Sequence, residues 1–234
     1  MIDIHSHVLP FIDDGSNSID ESVNLLKNAK ECGVTKIIAT PHFKNNFKAS
    51  IKEINDSFNA IKPFAEELGI GLYLGQEIKH YSGDINNVIE KKHLTLNNTK
   101  AVLVEFDMGR EEDVSEVIYS YCKKGFIPIV AHVERYPYCL DFSVIEDIKN
   151  CGGMIQINAS SVVGKLGGYI KKFVLKLIKF GLVDFVASDI HSFRENDMLK
   201  AYNLVKKKFK EQVANDLFIN HQQQILFSGK FDIK

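Results

Sequence analysis

His5 and His7 stand two residues apart at the end of a short apolar run, Ile2-Asp-Ile4. Alternate residues of a β-strand point to one face, with Cα atoms roughly 6.5 Å apart. Two imidazoles so placed can converge on one cation, and histidine is the commonest metal ligand. Asp13, Asp14 and Gly15 follow in a turn that keeps acidic oxygens close by. A core strand ending in two partly exposed histidines has the same local pattern, so the motif must be weighed against the rest of the chain.

The elements that position such residues can be read in order. Residues 21–32 form an amphipathic helix after Asp20, with Val23, Leu25, Leu26 and Ala29 on one face and Gly33 at its end. Residues 36–39 are a short strand running into Thr40-Pro-His42. A helix over 49–68 carries Ile51, Ile54, Phe58, Ile61 and Ala65, and a strand at 71–74 leads into Gly75-Gln-Glu77. After a less regular section with a short helix at 84–91, strand 101–104 meets Glu105. Helix 112–124 and strand 127–131 lead to His132. Helix 142–151, strand 154–157 ending at Asn158, helix 168–180 and strand 184–187 bring the chain to Ser188-Asp189-Ile-His191. Helix 198–209 and a last short helical stretch complete it.

That reading gives seven strands, each followed by a helix. Repeated βα units imply parallel strands with helices outside. In 234 residues they fit an α/β fold of the TIM-like (β/α)7 kind, with an open doubly wound sheet as the competing topology. No Pro/Ser-rich or Gly-rich linker divides the chain, so one domain over 1–234 is expected.

Composition narrows the function classes. Hydrophobic residues make up 45% and charged residues 25%, as in ordinary globular proteins. A net charge of −1 gives no field for nucleic acid or an anionic membrane. No apolar run approaches the roughly 20 residues of a membrane span, and no signal segment precedes the first strand, so a cytoplasmic protein is expected. Cys32, Cys122, Cys139 and Cys151 form no C-x-x-C pair and are expected to be buried apolar residues. A thiol phosphatase needs an arginine six positions after its cysteine. Ile38, Pro128, Ile145 and Ile157 stand there instead, which excludes that chemistry.

In a barrel, the residues just past the strands share one rim, where active sites are built. His5, His7, Asp14, His42, Glu77, Glu105, His132, Asp189 and His191 all belong to that rim. A strand-end histidine or glutamate is singly an ordinary solvated loop residue. Scattered surface residues, however, have no reason to recur at one topological position. Packed together, these groups would repel and desolvate badly without cations. Nine ligands suit two or three divalent ions, and mixed imidazole and carboxylate favours Mn, Fe or Zn. With no cysteine among the ligands, an open, catalytic site is expected.

The same residues carry a family resemblance. Asp3-Ile-His5-Ser-His7, the Asp13-Asp14-Gly15 turn, Pro41-His42, Gly75-Gln-Glu77, Glu105, His132-Val-Glu-Arg135 and Ser188-Asp189-Ile-His191 resemble the polymerase and histidinol phosphatase (PHP) superfamily. Within it the sequence is most similar to bacterial tyrosine-protein phosphatases of capsule and exopolysaccharide synthesis, from Met1 to about Phe227. The resemblance implies a distorted (β/α)7 barrel with three metal ions, commonly manganese. It implies His5, His7, Glu77 and Asp189 around one ion, with Glu77 bridging to a second held by Glu105 and His132. Asp14, His42 and His191 would serve the third. Arg135 would hold substrate phosphate, as would Arg194 if its loop folds inward. The implied partner is a phosphotyrosine-bearing protein, a membrane-associated tyrosine kinase.

Divalent ions acidify bound water enough to supply hydroxide near neutral pH, and a bidentate guanidinium suits phosphate. Two other readings stand beside this one: a small-molecule phosphatase of the histidinol-phosphatase type, and a non-catalytic partner-binding barrel. Lys206-Lys-Lys208 reads as a solvated face, and His80, His93 and His221 as structural or surface residues. Tyr136 and Tyr138 suit either the mouth of the site or buried packing. The Phe43-Lys44-Asn45-Asn46 segment is given no catalytic role.

Overall fold

The structure is a computed structural model that describes residues 1–44, 46–80 and 84–228. Asn45 of the 43–46 segment and residues 81–83 of the less regular section lie outside the described residues.

Among the described residues the strands are β1 (Ile2–Ser6), β2 (Lys36–Ala39), β3 (His42–Phe43), β4 (Gly71–Leu74), β5 (Glu77–Lys79), β6 (Ala101–Glu105), β7 (Ile127–Val130), β8 (Met154–Asn158) and β9 (Phe185–Ala187). Every pairing between them is parallel, in the orders β1-β2-β4 and β3-β5-β6-β7-β8-β9. Nine segments replace the seven expected strands because the second and third are interrupted, at Thr40-Pro41 and at Gly75-Gln76. Proline has no N–H for the ladder, so the chain breaks there and resumes. Gly75 N donates to Ala39 O at 2.9 Å and Glu77 N to Pro41 O at 3.1 Å, which joins the two sheets across the breaks. At the other edge, His7 N donates to Ile190 O at 3.0 Å and Asp189 N to His5 O at 2.9 Å. The fold is therefore α/β with a curled parallel sheet whose last strand comes round against its first.

The helices between are α1 (Ile19–Glu31), α2 (Ile51–Glu67), α3 (Asp84–Ile89), α4 (Val114–Lys123), α5 (Phe142–Asn150), α6 (Ala159–Val163), α7 (Gly168–Lys179) and α8 (Met198–Phe209). α1 starts two residues before its expected beginning because Ser18, not Asp20, is the cap, accepting from Glu21 N at 3.1 Å. Ser50 and Glu53 close a reciprocal capping box on α2. α6 was not expected: it is a single short turn directly after β8. Residues 211–228 continue helically with two wider π-type stretches, Asp216–Asn220 and Gln224–Ser228.

Both faces of the sheet are buried, as in parallel sheets covered on each side. Val102, Val104, Val130 and Val186 join the larger core cluster with the helices. Leu103, Ile129 and Phe185 alternate with them into a smaller cluster that holds Ile2, Ile4, Ile225 and Leu226. Of the cysteines only Cys139 is buried. The other three are half-buried, which corrects the expectation of four core thiols. No helix among the described residues is long and apolar enough to cross a membrane.

Candidate metal centre

The strand ends deliver the side chains singled out in the sequence to one place. His5 lies in β1 and His7 just beyond it, and Glu105 closes β6. His42 and Glu77 do not trail their strands as expected. They open the short strands β3 and β5 and face each other in register. His132 and Asp189 each stand two residues past a strand, β7 and β9, in the left-handed region at φ 32° and 50°. That turn is uncommon for residues other than glycine and is typical of functional sites, where surrounding structure holds it. Here it swings each side chain off the strand direction and into the cluster.

Four overlapping groups result: His7, Asp14, His42 and His191; His5, His7 and Asp189; His5, Glu77 and His132; and His42, Glu77 and Glu105. Within each, the facing ligand atoms lie within 4.8 Å of one another. All nine expected ligands are included, eight of them buried and Asp14 exposed. Glu77 is central, with Oε1 at 3.3 Å from His5 Nε2 and 2.9 Å from His132 Nε2. Its Oε2 lies 3.5 Å from His7 Nε2 and 2.6 Å from His42 Nδ1. His42 presents its other nitrogen to Asp14 Oδ1 at 3.4 Å, so one ring spans two groups. Glu105 gathers with His42 rather than with His132, which differs from the implied pairing.

The outer contacts fix which nitrogens face inward. His7 Nδ1 donates to Asp13 Oδ2 at 2.7 Å and His5 Nδ1 to Gln156 Oε1 at 3.0 Å. Those proton positions leave the Nε2 lone pairs of His5 and His7 pointing at each other from 3.2 Å. Two lone pairs at that distance want a positive charge between them, either a proton on His5 or a metal ion. Glu77 Oε2, Glu105 Oε2 and His42 Nδ1 are buried without a hydrogen-bond partner. His42 and Glu77 are thus close but out of line for a hydrogen bond, as two ligands of one ion would be. The donor set fits divalent metals held by nitrogen and oxygen.

Charge tells the same story. Burial pulls His5 down, but the Glu77 carboxylate beside it carries the imidazole up to about 10. Burial, reinforced by the nearby His42 charge, lowers His7 to about 4. Glu105 is pushed up, first by burial and then by Glu77. Glu77 itself is held well below the carboxylate range, because His5 and His42 outweigh its burial. The carboxylates draw positive charge into the cluster, which imidazole protons or divalent ions can supply.

Arg194 folds inward. Its Nη1 donates to Asp189 Oδ2 at 2.9 Å, and Arg135 Nη1 reaches the same oxygen at 3.3 Å. Asn158 Nδ2 donates there too, at 2.8 Å. Gln156, Asn158, Asp13 and Asp3 support the cluster without being candidate ligands. Gln156 and Asn158 had a signal, since they are polar residues two apart in the otherwise apolar Met154–Asn158 strand. Asp13 carries no sequence signal beyond its place in a turn. Asp3 is buried and accepts from Ser188 N at 3.0 Å and Ser188 Oγ at 2.5 Å, tying β1 to β9.

Of the remaining residues, Tyr136 is wholly buried and its hydroxyl accepts from Phe106 N, so it packs and does not line the mouth. Tyr138 is half-buried and donates to Asp107 O. His93 is buried against the Phe43 ring, and His221 Nδ1 bonds Asp184 O at 2.8 Å. Lys206, Lys207 and Lys208 are exposed.

Comparison with known proteins agrees with this geometry. The family described as "Capsular polysaccharide synthesis, CpsB/CapC" matches residues 1–227. Tyrosine-protein phosphatase CpsB of Streptococcus agalactiae is 34% identical, covering 97% of this chain and 98% of that protein. Tyrosine-protein phosphatase YwqE of Bacillus subtilis is 33% identical over 89% of this chain and 85% of its own. A solved chain from work on YwqE and on CpsB of Streptococcus pneumoniae, described as unique metal-dependent tyrosine phosphatases, superposes with a TM-score of 0.91 at 28% identity. That match covers 100% of this chain and 96% of the other.

Proposed function

Because this chain belongs to the CpsB/CapC family of capsular polysaccharide synthesis, we propose that it is a metal-dependent phosphatase acting on phosphotyrosine in proteins. The observation that carries this reading is the gathering of imidazoles and carboxylates from six strand ends, with two arginines on one of their carboxylates.

In this proposal His5, His7, Glu77 and Asp189 would hold one divalent ion. Glu77 would help to hold a second with His132 and with Glu105, which here gathers with His42, and Asp14, His42 and His191 would hold a third. The split of Glu77 between Oε1 toward His5 and His132 and Oε2 toward His7 and His42 supports its serving two of these sites. Manganese is the ion we favour, and iron or zinc suits the same donors. Once bound, such ions acidify water and stabilise phosphoryl charge. Asp13 and Gln156 keep the His7 and His5 rings in the tautomer and orientation that ligation needs. Arg135 and Arg194 turn Nη1 to Asp189, and a guanidinium has five N–H donors in all, enough to grip phosphate oxygens as well. A tyrosine phenolate, with a pKa of about 10, leaves with little acid assistance, so no general acid is assigned.

We further propose that β2 with β3, and β4 with β5, act as single interrupted strands of a closed (β/α)7 barrel forming one domain over residues 1–234. The contacts of His7 and Asp189 across the β1–β9 seam support closure. The substrate is the phosphotyrosine-bearing tail of a membrane-associated tyrosine kinase, met in the cytoplasm.

The test is turnover of a phosphotyrosine peptide against histidinol phosphate by manganese-loaded protein, with bound metal counted by elemental analysis. Peptide turnover with roughly two or three ions per chain is expected. Preference for histidinol phosphate, or a protein that binds no metal, overturns the proposal. His5→Ala and His132→Ala abolish turnover with the circular dichroism of a folded protein, and near-normal rates in His132→Ala contradict the ligation. Arg135→Ala acts mainly on KM.

A further inference from the structure

A cavity of about 400 Å³ opens beside the arginines. Its lining runs from Arg135, Arg194 and Asn158, which all donate to the Asp189 carboxylate, to the apolar side chains of Leu166 and Phe193. Those two are 46% and 69% exposed, so folding leaves most of the phenylalanine surface unserved. The Phe193 ring stands 5.3 Å from the His191 ring and 5.1 Å from the Arg194 guanidinium carbon. It therefore borders both kinds of group assigned to the phosphoryl end. Lys165, the other cation of the lining, is matched by Glu195 and Asp197 at 3.0 and 2.8 Å. With that charge answered inside the protein, Glu195 and Asp197 in the same lining disfavour a second anion, and Leu166 and Phe193 supply the apolar contact.

We infer that Phe193 and Leu166 clamp the aromatic ring of an aryl phosphate and give the site its preference for aryl over alkyl phosphomonoesters. This deepens the phosphatase reading above and rests on it. The phosphoryl group lies toward Arg135 and Arg194, and the ring it leaves behind meets Phe193 and Leu166. Aromatic rings pair edge-to-face or offset at about 4.5–7 Å, and contacts of this kind discriminate between ligands by about tenfold or more.

The test is calorimetric titration of metal-loaded protein with phenylphosphonate and, separately, with inorganic phosphate. In Phe193→Ala and in Leu166→Ala, phenylphosphonate binding weakens about tenfold while phosphate binding holds. Phe193→Tyr restores the aryl ligand. The chain has no tryptophan, so Phe193→Trp supplies a single indole whose emission shifts with phenylphosphonate and stays unchanged with phosphate. Equal losses for both ligands, unaltered phenylphosphonate binding, an indole blind to it, or a wild-type protein that does not distinguish the two ligands each overturn the inference. A wild-type protein that prefers phenylphosphonate yet turns over no phosphotyrosine peptide overturns the phosphatase reading instead.

Discussion

Gly15 shows how little room the cluster leaves around one ligand. A Cβ built there would lie 2.2 Å from His7 O and 2.3 Å from His7 Cβ, so even a methyl group must push the histidine aside. The clash is with backbone and with the root of a side chain, neither of which can swing away. Gly15→Ala should cost about 1–3 kcal/mol of stability through overpacking. By shifting His7 it should also weaken metal binding by about 10- to 100-fold, the usual cost of disturbing a ligand's support. Denaturant unfolding and metal titration measure the two effects separately. Wild-type metal affinity in Gly15→Ala would show that His7 is not held by this contact.

Elements, not single residues, decide where ligands point. β2 and β4 each break after four residues, and β3 and β5 begin on His42 and Glu77, so two ligands enter the cluster as a paired rung. β7 and β9 end differently, with a left-handed residue that turns the chain and is itself a candidate ligand. The outer helices are less constrained. Pro63 lies exposed inside α2, where it removes a helical N–H and crowds the preceding turn. Pro63→Ala should raise stability by roughly 1–3 kcal/mol and leave turnover unchanged, because α2 contributes no candidate ligand. Thermal melting and a rate assay check this. A lowered melting temperature would mean that the helix depends on the proline.

At the scale of the whole molecule, the curl of the sheet brings β9 to β1, and the cluster exists only because it does. His5 and His7 come from the first strand and Asp189 and His191 from beyond the last, so an ion held between them would staple the seam. Ligands that bind only the folded state add about 2.7 kcal/mol at a hundred times their Kd. For a chain of this length that corresponds to roughly 5–10 °C in Tm. Chelation should lower Tm by this amount and abolish turnover, and added manganese should restore both. A Tm indifferent to chelator would argue that the centre holds no ion.

The βα order, the residue types at the strand ends and the nine candidate ligands are legible in the sequence, and its family resemblance adds the two arginines. The order and the strand-end positions follow from local periodicity and from the short range over which turns and caps act, whereas the arginines come from the family resemblance alone. Boundaries moved by a residue or two where a cap such as Ser18 competed with a neighbour. Folding alone makes His42 span two groups, turns Glu105 to His42, and sets Asp13 and Gln156 to orient the histidines. It also brought Phe193 beside Arg194, next to Leu166 in one cavity. Each of these is a relation between side chains far apart in sequence. Periodicity fixes which face a residue occupies, but the curl and register of the sheet fix what that face meets.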